Sequence, residues 1–242
     1  MTLTSPPPPF DQRYNSTGPF SCHVPSLGWA VTDLQEIAVT RYSLIFVVDI
    51  ENGKILLGKK NRGFGTGLYH GYGGKLERGE TMDDCAVREL QEESNLVATE
   101  DGIYPKGHLV FTRPGPSHAE IIGISIYVCD AWTGRPETTD EMTPKWFAIS
   151  PSAKEIPYDL MWPDASLYLP PLLHSITANR TSDLLLARVD YNFLLASESP
   201  FVLNVSPSQR KALRKESFAS RQEGEEELVS GWWLGFGQNG RQ

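Results

Sequence analysis

GKLERGETMDDCAVRELQEESNL, residues Gly74 to Leu96, decides the fold and the chemistry of this 242-residue chain. Thr81 with Asp84 three residues on is a capping-box arrangement, and Asp83 and Asp84 fall in the first turn, where a helix dipole favours negative charge. The helix they open carries Cys85, Ala86 and Leu90 on one stripe and Glu89, Glu92 and Glu93 on the other, since residues three and four apart share a face. Three carboxylates on one face repel each other. A hard divalent cation with oxygen ligands reverses that sign, whereas without one the pattern is a solvated acidic face. Arg88 lies four residues before Glu92, within reach to orient it. Asn95 follows the last turn and tolerates the left-handed conformation that ends a helix. Just upstream, Gly71, Gly73 and Gly74 leave the backbone bare for a close approach by phosphates or metal.

Composition narrows the rest. Apolar residues make up 40% of the chain, enough for one sizeable core with tails. The net charge is −8 and no block of Lys or Arg offers a footprint for a nucleic-acid polymer. A negative protein that handles polyphosphates needs a cation to neutralise its substrate, which agrees with the carboxylate helix. Cys22, Cys85 and Cys129 are far apart and without CxxC spacing, as expected of a reducing compartment rather than of a zinc site or disulfide framework. No apolar run approaches the roughly 20 residues that span a bilayer, and the N-terminus lacks a signal-peptide core. A cytosolic or nuclear location, no membrane partner and a monomeric state are the expectations.

Along the chain, residues 1–34 open on a run of prolines and read as a flexible tail; 35–205 read as the folded domain; 206–242 read as a short basic helix followed by a disordered tail. Within the domain, RYSLIFVVDI, the turn Glu51-Asn52-Gly53-Lys54 and ILLGK form a hairpin. GHLVFTR, EIIGISIYVCD and PKWFAI follow the carboxylate helix as strands. A second helix is expected after Trp162, with Pro163 at its first position and Pro170–Pro171 kinking or ending it. DLLLARVDYNFLL and PFVLNV look like a further hairpin. Strands, helix, strands, helix and strands make an α/β (α+β) architecture with a mixed central sheet. Trp232, Trp233 and Phe236 in the tail are free to dock on a partner or on the protein itself.

The residues of the opening stretch match the Nudix signature, with Glu80 six after Gly74 and then Arg88, Glu89, Glu92 and Glu93 at the signature spacing. Segments beyond it, Lys60 to Gly65, Gly71 to Lys75, Leu109 to Phe111, Asp140 to Met142, Trp146-Phe147 and Met161 to Asp164, resemble the oxidised purine nucleoside triphosphatase branch of that superfamily, over about Tyr42 to Leu173. The resemblance implies a Nudix α/β/α sandwich that uses Mg²⁺, with Mn²⁺ as a substitute, to hydrolyse modified purine nucleoside triphosphates such as 8-oxo-dGTP to the monophosphate and pyrophosphate, a nucleotide-pool sanitising activity. Carried over by position, Glu89, Glu92, Glu93 and Glu141 are metal ligands together with the carbonyl of Gly73 or Gly74. Glu92, Glu93 and Glu141 are the alternatives for the proton acceptor, with Arg88 in support. Lys60 contacts phosphate, and Ser43, Phe64, His70, Gly74, Phe111, Trp162 and Asp164 line the substrate site. Trp162 stacks on the base or is an ordinary core tryptophan; Asp164 accepts from the base edge or caps the following helix.

The chain departs from this branch at three places. His70 replaces an asparagine, Ala165 a second aspartate and Arg113 a phenylalanine. These changes bear on the base and leave the phosphate chemistry intact. They keep open a second substrate class, a dinucleoside polyphosphate, a nucleotide sugar or another nucleoside diphosphate derivative, while a non-catalytic nucleotide-binding module is the reading from another class.

Overall fold

The computed structural model describes residue 10 and residues 19–23, 39–113, 120–149, 155–178, 182–194 and 226–237. Eleven strands and two α-helices follow the chain in the order β1 (Pro19–His23), β2 (Val39–Asp49), β3 (Lys54–Lys60), β4 (Tyr69–His70), α1 (Met82–Ser94), β5 (Val97–Ala98), β6 (Ile103–Arg113), β7 (Glu120–Cys129), β8 (Trp132–Thr133), β9 (Met142–Ala148), α2 (Ala165–Thr177), β10 (Leu184–Leu194) and β11 (Glu226–Gly237) among the described residues. A mixed sheet runs β1-β11-β10-β6-β7-β2-β3-β4, with β9 on β3. The pairs β2–β7 and β6–β10 are parallel, and the others in that sheet are antiparallel.

Alternation along β2 divides the core into two layers. Phe46 and Val48 pack under α2 with Leu169, Leu172, Leu173 and Ile176; Ile45 and Val47 pack under α1 with Ala86 and Leu90. The result is the α/β/α sandwich expected from the sequence. The Asp49–Lys54 hairpin also forms as expected: Asn52 donates its backbone N–H to Asp49 Oδ1 at 3.0 Å, and Gly53 takes φ 60°.

Four features differ from the sequence reading. Pro19–His23, placed in the N-terminal tail, is the edge strand β1, paired with β11. Residues 226–237, placed in a disordered tail, form β11 between β1 and β10, with Trp233 and Leu234 fully buried. The glycines and charges that argued for disorder sit on a strand whose indoles supply the burial, and Trp232, Trp233 and Phe236 dock on the protein itself. β11 is also the partner of β10, the role assigned to PFVLNV at 200–205; that segment and the basic helix at 209–215 lie outside the described residues. Finally, α2 begins at Ala165 and continues through Pro170 and Pro171 to Thr177. A proline inside a helix costs about 3 kcal/mol, and here the buried stripe of Tyr168, Leu169, Leu172, Leu173 and Ile176 offsets that loss.

Candidate active site

Helix α1 starts as its sequence dictates. Thr81 Oγ1 accepts from Asp84 N at 3.1 Å, and the Asp84 carboxylate returns the bond to Thr81 N. Asn95 closes the other end at φ 64° and donates to Gln91 O. Cys85, Ala86 and Leu90 face the core, while Glu89 and Glu93 turn toward the loop 71–75 and Glu92 opens to solvent. That loop is stitched to β2 by Ile45 N–H donating to Tyr72 O and Ser43 N–H donating to Gly74 O at 2.9 Å. The second bond occupies the Gly74 carbonyl and leaves that of Gly73 as the backbone ligand candidate. Gly74 leaves room for the Glu89 carboxylate: a Cβ there would meet it and force that side chain to move.

The carboxylates occupy graded environments. Glu93 is 2% exposed and accepts from Gly73 N–H at 2.8 Å. Burial first, and the neighbouring Glu89 and Glu141 charges after it, push its carboxyl up to about 7 against the pull of Gly73 and Lys60. Glu89 is raised too, by desolvation before any charge. Glu92 is the open one, its side chain 60% exposed. Arg88 binds all three sides of this group: Nε and Nη2 donate to Glu80 at 2.8 and 3.0 Å, and Nη1 donates to Glu89 at 2.8 Å and Glu92 at 3.1 Å. The fork on Glu80 holds that carboxyl down at about 2. Arg88 thus orients Glu80 and Glu89 as much as Glu92, the partner its spacing pointed to.

Lys60 enters from the end of β3. Its Nζ lies 3.6 Å from Glu93 Oε1 and 3.9 Å from Glu141 Oε2, so Glu141, from the segment before β9, joins the helix carboxylates around one cation. Arg62, which stands in the Lys60 to Gly65 segment and had no role assigned from the sequence, donates to Glu141 Oε1 at 2.6 Å. Among the described residues no three acidic, His or Cys side chains form a ready cation cage, and Arg88 and Lys60 pair with the carboxylates. The donor set nevertheless suits a hard divalent ion: four carboxylates and the Gly73 carbonyl are oxygen ligands, and the Lys60 ammonium between Glu93 and Glu141 marks where positive charge is favoured.

Two further contact groups are joined along the chain from Trp162 to Asp164. The Phe64 and Trp162 rings lie 4.6 Å apart, and Trp162 also presses on Gly65, where a Cβ would stand 2.9 Å from its ring. Trp162 is half-buried with one side on Phe64, and Phe64 itself is exposed. Two residues on, Asp164 occupies the N-cap position of α2 but makes no side-chain cap bond. Its Oδ1 accepts from the Tyr191 hydroxyl at 2.6 Å, and Tyr191 meets the Phe111 ring edge-on at 6.1 Å. The capping role for Asp164 is therefore set aside, and Pro163 lies before the cap rather than inside the helix. Burial raises the Asp164 carboxyl to about 6, while Tyr191 draws it down. Nothing in the sequence pointed to Tyr191, which stands in a strand with no motif around it.

Two further expected site residues, Ser43 and His70, lie on β2 and β4. Ser43 is buried with its hydroxyl 3.4 Å from Cys85 Sγ and 3.4 Å from Gly74 N, on the α1 face of β2; it supports the glycine loop and does not join the aromatic group. His70 lies opposite Gly58 in the β3–β4 register. Desolvation first and the Lys60 charge second lower its imidazole to about 4, so the ring is neutral and offers one donor and one acceptor at physiological pH. The side chain of Arg113 lies outside the described residues.

The NUDIX domain family matches residues 40–164. Two curated oxidized purine nucleoside triphosphate hydrolases are similar: that of Danio rerio is 40% identical over 130 residues and that of Mus musculus 39% identical over 132, each alignment covering 54% of this chain and 78% of the relative. Among solved structures, a MutT protein from Bacillus halodurans aligns with a TM-score of 0.50 over 64% of this chain and 91% of its own, at 20% identity, a similarity of fold.

Proposed function

This chain belongs to the Nudix family, and we propose that it hydrolyses oxidised or otherwise modified purine nucleoside triphosphates to the monophosphate and pyrophosphate, clearing them from the nucleotide pool. The observation that carries the reading is the gathering of Glu93 and Glu141 around Lys60, beside Glu89 and Glu92 on the same helix face. The relatives that share this framework are named for oxidised purine triphosphates, and the Phe64–Trp162–Asp164 line supplies an aromatic surface and an acceptor of the kind a purine needs.

Nudix hydrolases use divalent cations, and we take Mg²⁺ as the resident ion here with Mn²⁺ as its substitute. Glu89, Glu92, Glu93, Glu141 and the Gly73 carbonyl would hold it. Bound there, it would neutralise the polyphosphate and acidify a coordinated water. Arg88 keeps Glu89 and Glu92 aimed from behind. Lys60 brings a positive charge to the phosphates, at a site whose carboxylates would otherwise repel them. Glu92 is the group best placed to take a proton from water, because it is solvent-accessible while Glu93 is enclosed against Gly73. Two buried free thiols, Cys85 and Cys129, agree with a reducing compartment, cytoplasm or nucleus.

The test is product analysis with Mg²⁺ over a panel of canonical, oxidised and methylated purine nucleoside triphosphates, with dinucleoside polyphosphates and nucleotide sugars alongside. Selective release of pyrophosphate and a monophosphate from a modified purine triphosphate is expected. Turnover confined to the diphosphate derivatives would favour the second substrate class, which draws support from Ala165, a buried methyl beside Asp164.

A further inference from the structure

Strand β10 lies outside the segment that matches the family, residues 40–164, yet it delivers a hydroxyl to the one buried acid of the aromatic line. Asp164 is 4% exposed, and its helix-capping option is unused. Tyr191 Oη donates to its Oδ1 at 2.6 Å, a short bond of the charge-assisted kind. The Phe111 ring meets the Tyr191 ring edge-on at 6.1 Å. The next residue, Ala165, brings only a methyl, so no neighbouring acid at that position shares the work. Another titratable group close to Asp164 is Tyr168 on α2, itself buried.

We infer that Tyr191 is a positioning and specificity-determining residue: by donating to Oδ1 it holds Asp164 as an ionised acceptor, so that the remaining lone pairs of the carboxylate select purines that present an N1–H donor, the 6-oxo class, over 6-amino purines, whose N1 is an acceptor. This rests on the purine triphosphate reading above. The chemistry is one of matching. A carboxylate facing an N–H gains a charge-assisted bond, whereas facing a bare ring nitrogen it is left with two acceptors in contact and a buried charge without a partner. Burial pushes the Asp164 carboxyl toward the neutral acid, which would donate, and the Tyr191 hydroxyl pulls the other way; the net value of about 6 leaves the group ionised at pH 7 and above.

The experiment uses the full chain with Mg²⁺ and two substrate sets, 6-oxo and 6-amino purine nucleoside triphosphates, each unmodified and 8-oxidised. Steady-state KM and kcat are measured for the wild type, Tyr191→Phe, Asp164→Asn and the double variant. In Tyr191→Phe the KM for 6-oxo substrates should rise about tenfold with kcat nearly unchanged, while KM for 6-amino substrates stays level or falls. Once Asp164 is Asn, adding Tyr191→Phe should leave the ratio between the two sets where Asp164→Asn put it. An unchanged ratio in Tyr191→Phe, or an equal fall for both sets, would overturn the inference, since a merely structural role lowers both alike. A wild type that hydrolyses no purine triphosphate would remove the reading on which it rests; one that hydrolyses them with no 6-oxo preference removes the inference alone.

Discussion

Asp164→Asn should make the protein more stable and less selective at once. The Asp164 carboxyl is 4% exposed, and its surroundings raise it from 3.8 to about 6. At about 1.4 kcal/mol per tenfold change in proton affinity, holding it ionised in the fold costs about 3 kcal/mol above pH 6. The sign follows from the direction: a carboxyl raised by folding penalises the native state from the unfolded pKa upward, and fully so above the folded one. Asparagine has the shape of the neutral acid and still accepts from Tyr191 through its amide oxygen. The variant's advantage should be near zero below pH 4, grow between pH 4 and 6, and level off at about 3 kcal/mol above that. For a chain of this size, that is a rise of several degrees in Tm. The assay is thermal unfolding of both proteins across pH 4 to 8. A variant less stable than the wild type at pH 8, or an offset that does not change with pH, would refute the account of Asp164 as a desolvated carboxylate.

Other perturbations follow from the same geometry. Gly74→Ala should displace the Glu89 carboxylate, which a Cβ would meet at 2.1 Å, and lower divalent affinity by about 10- to 100-fold; a titration with Mn²⁺ followed by paramagnetic resonance reads this, and unchanged binding would contradict the placement of Glu89. Trp233→Ala removes a fully buried indole from β11 and should cost about 3–5 kcal/mol in denaturant unfolding, whereas a dispensable tail would show no change. Deleting residues 226–242 should likewise collapse the stability of the domain, because β11 joins β1 to β10.

Local chemistry made part of this molecule legible in the sequence. The Thr81–Asp84 box, the carboxylate face and the left-handed Asn95 are all settled within about one turn of helix, and each stands where its residues put it. The hairpin at Asn52-Gly53 is equally local. What escaped depends on partners far apart in the chain. The pairing of β10 with β11 is set by indoles more than 40 positions away, such as Arg188 against Trp233, and charges around the strand disguised it as a tail. Tyr191 reaches Asp164 from β10, a strand paired in parallel with β6, and no spacing rule reveals that pairing. Ser43 was carried over to the substrate site from the resemblance, while the parity of β2 turns its hydroxyl toward Cys85 and Gly74. Pro170 and Pro171 pointed to a kink or an early end in a helix that packing carries on to Thr177.

The most direct test of the central claim, that the α1 carboxylates hold a divalent cation which drives hydrolysis, is turnover of the preferred triphosphate with and without Mg²⁺ for the wild type and Glu92→Gln side by side. The account predicts wild-type pyrophosphate release that a chelator abolishes, and a Glu92→Gln protein with unaltered fold whose kcat falls by about 10³-fold. Chelator-resistant turnover, or near-normal activity of Glu92→Gln, would contradict it.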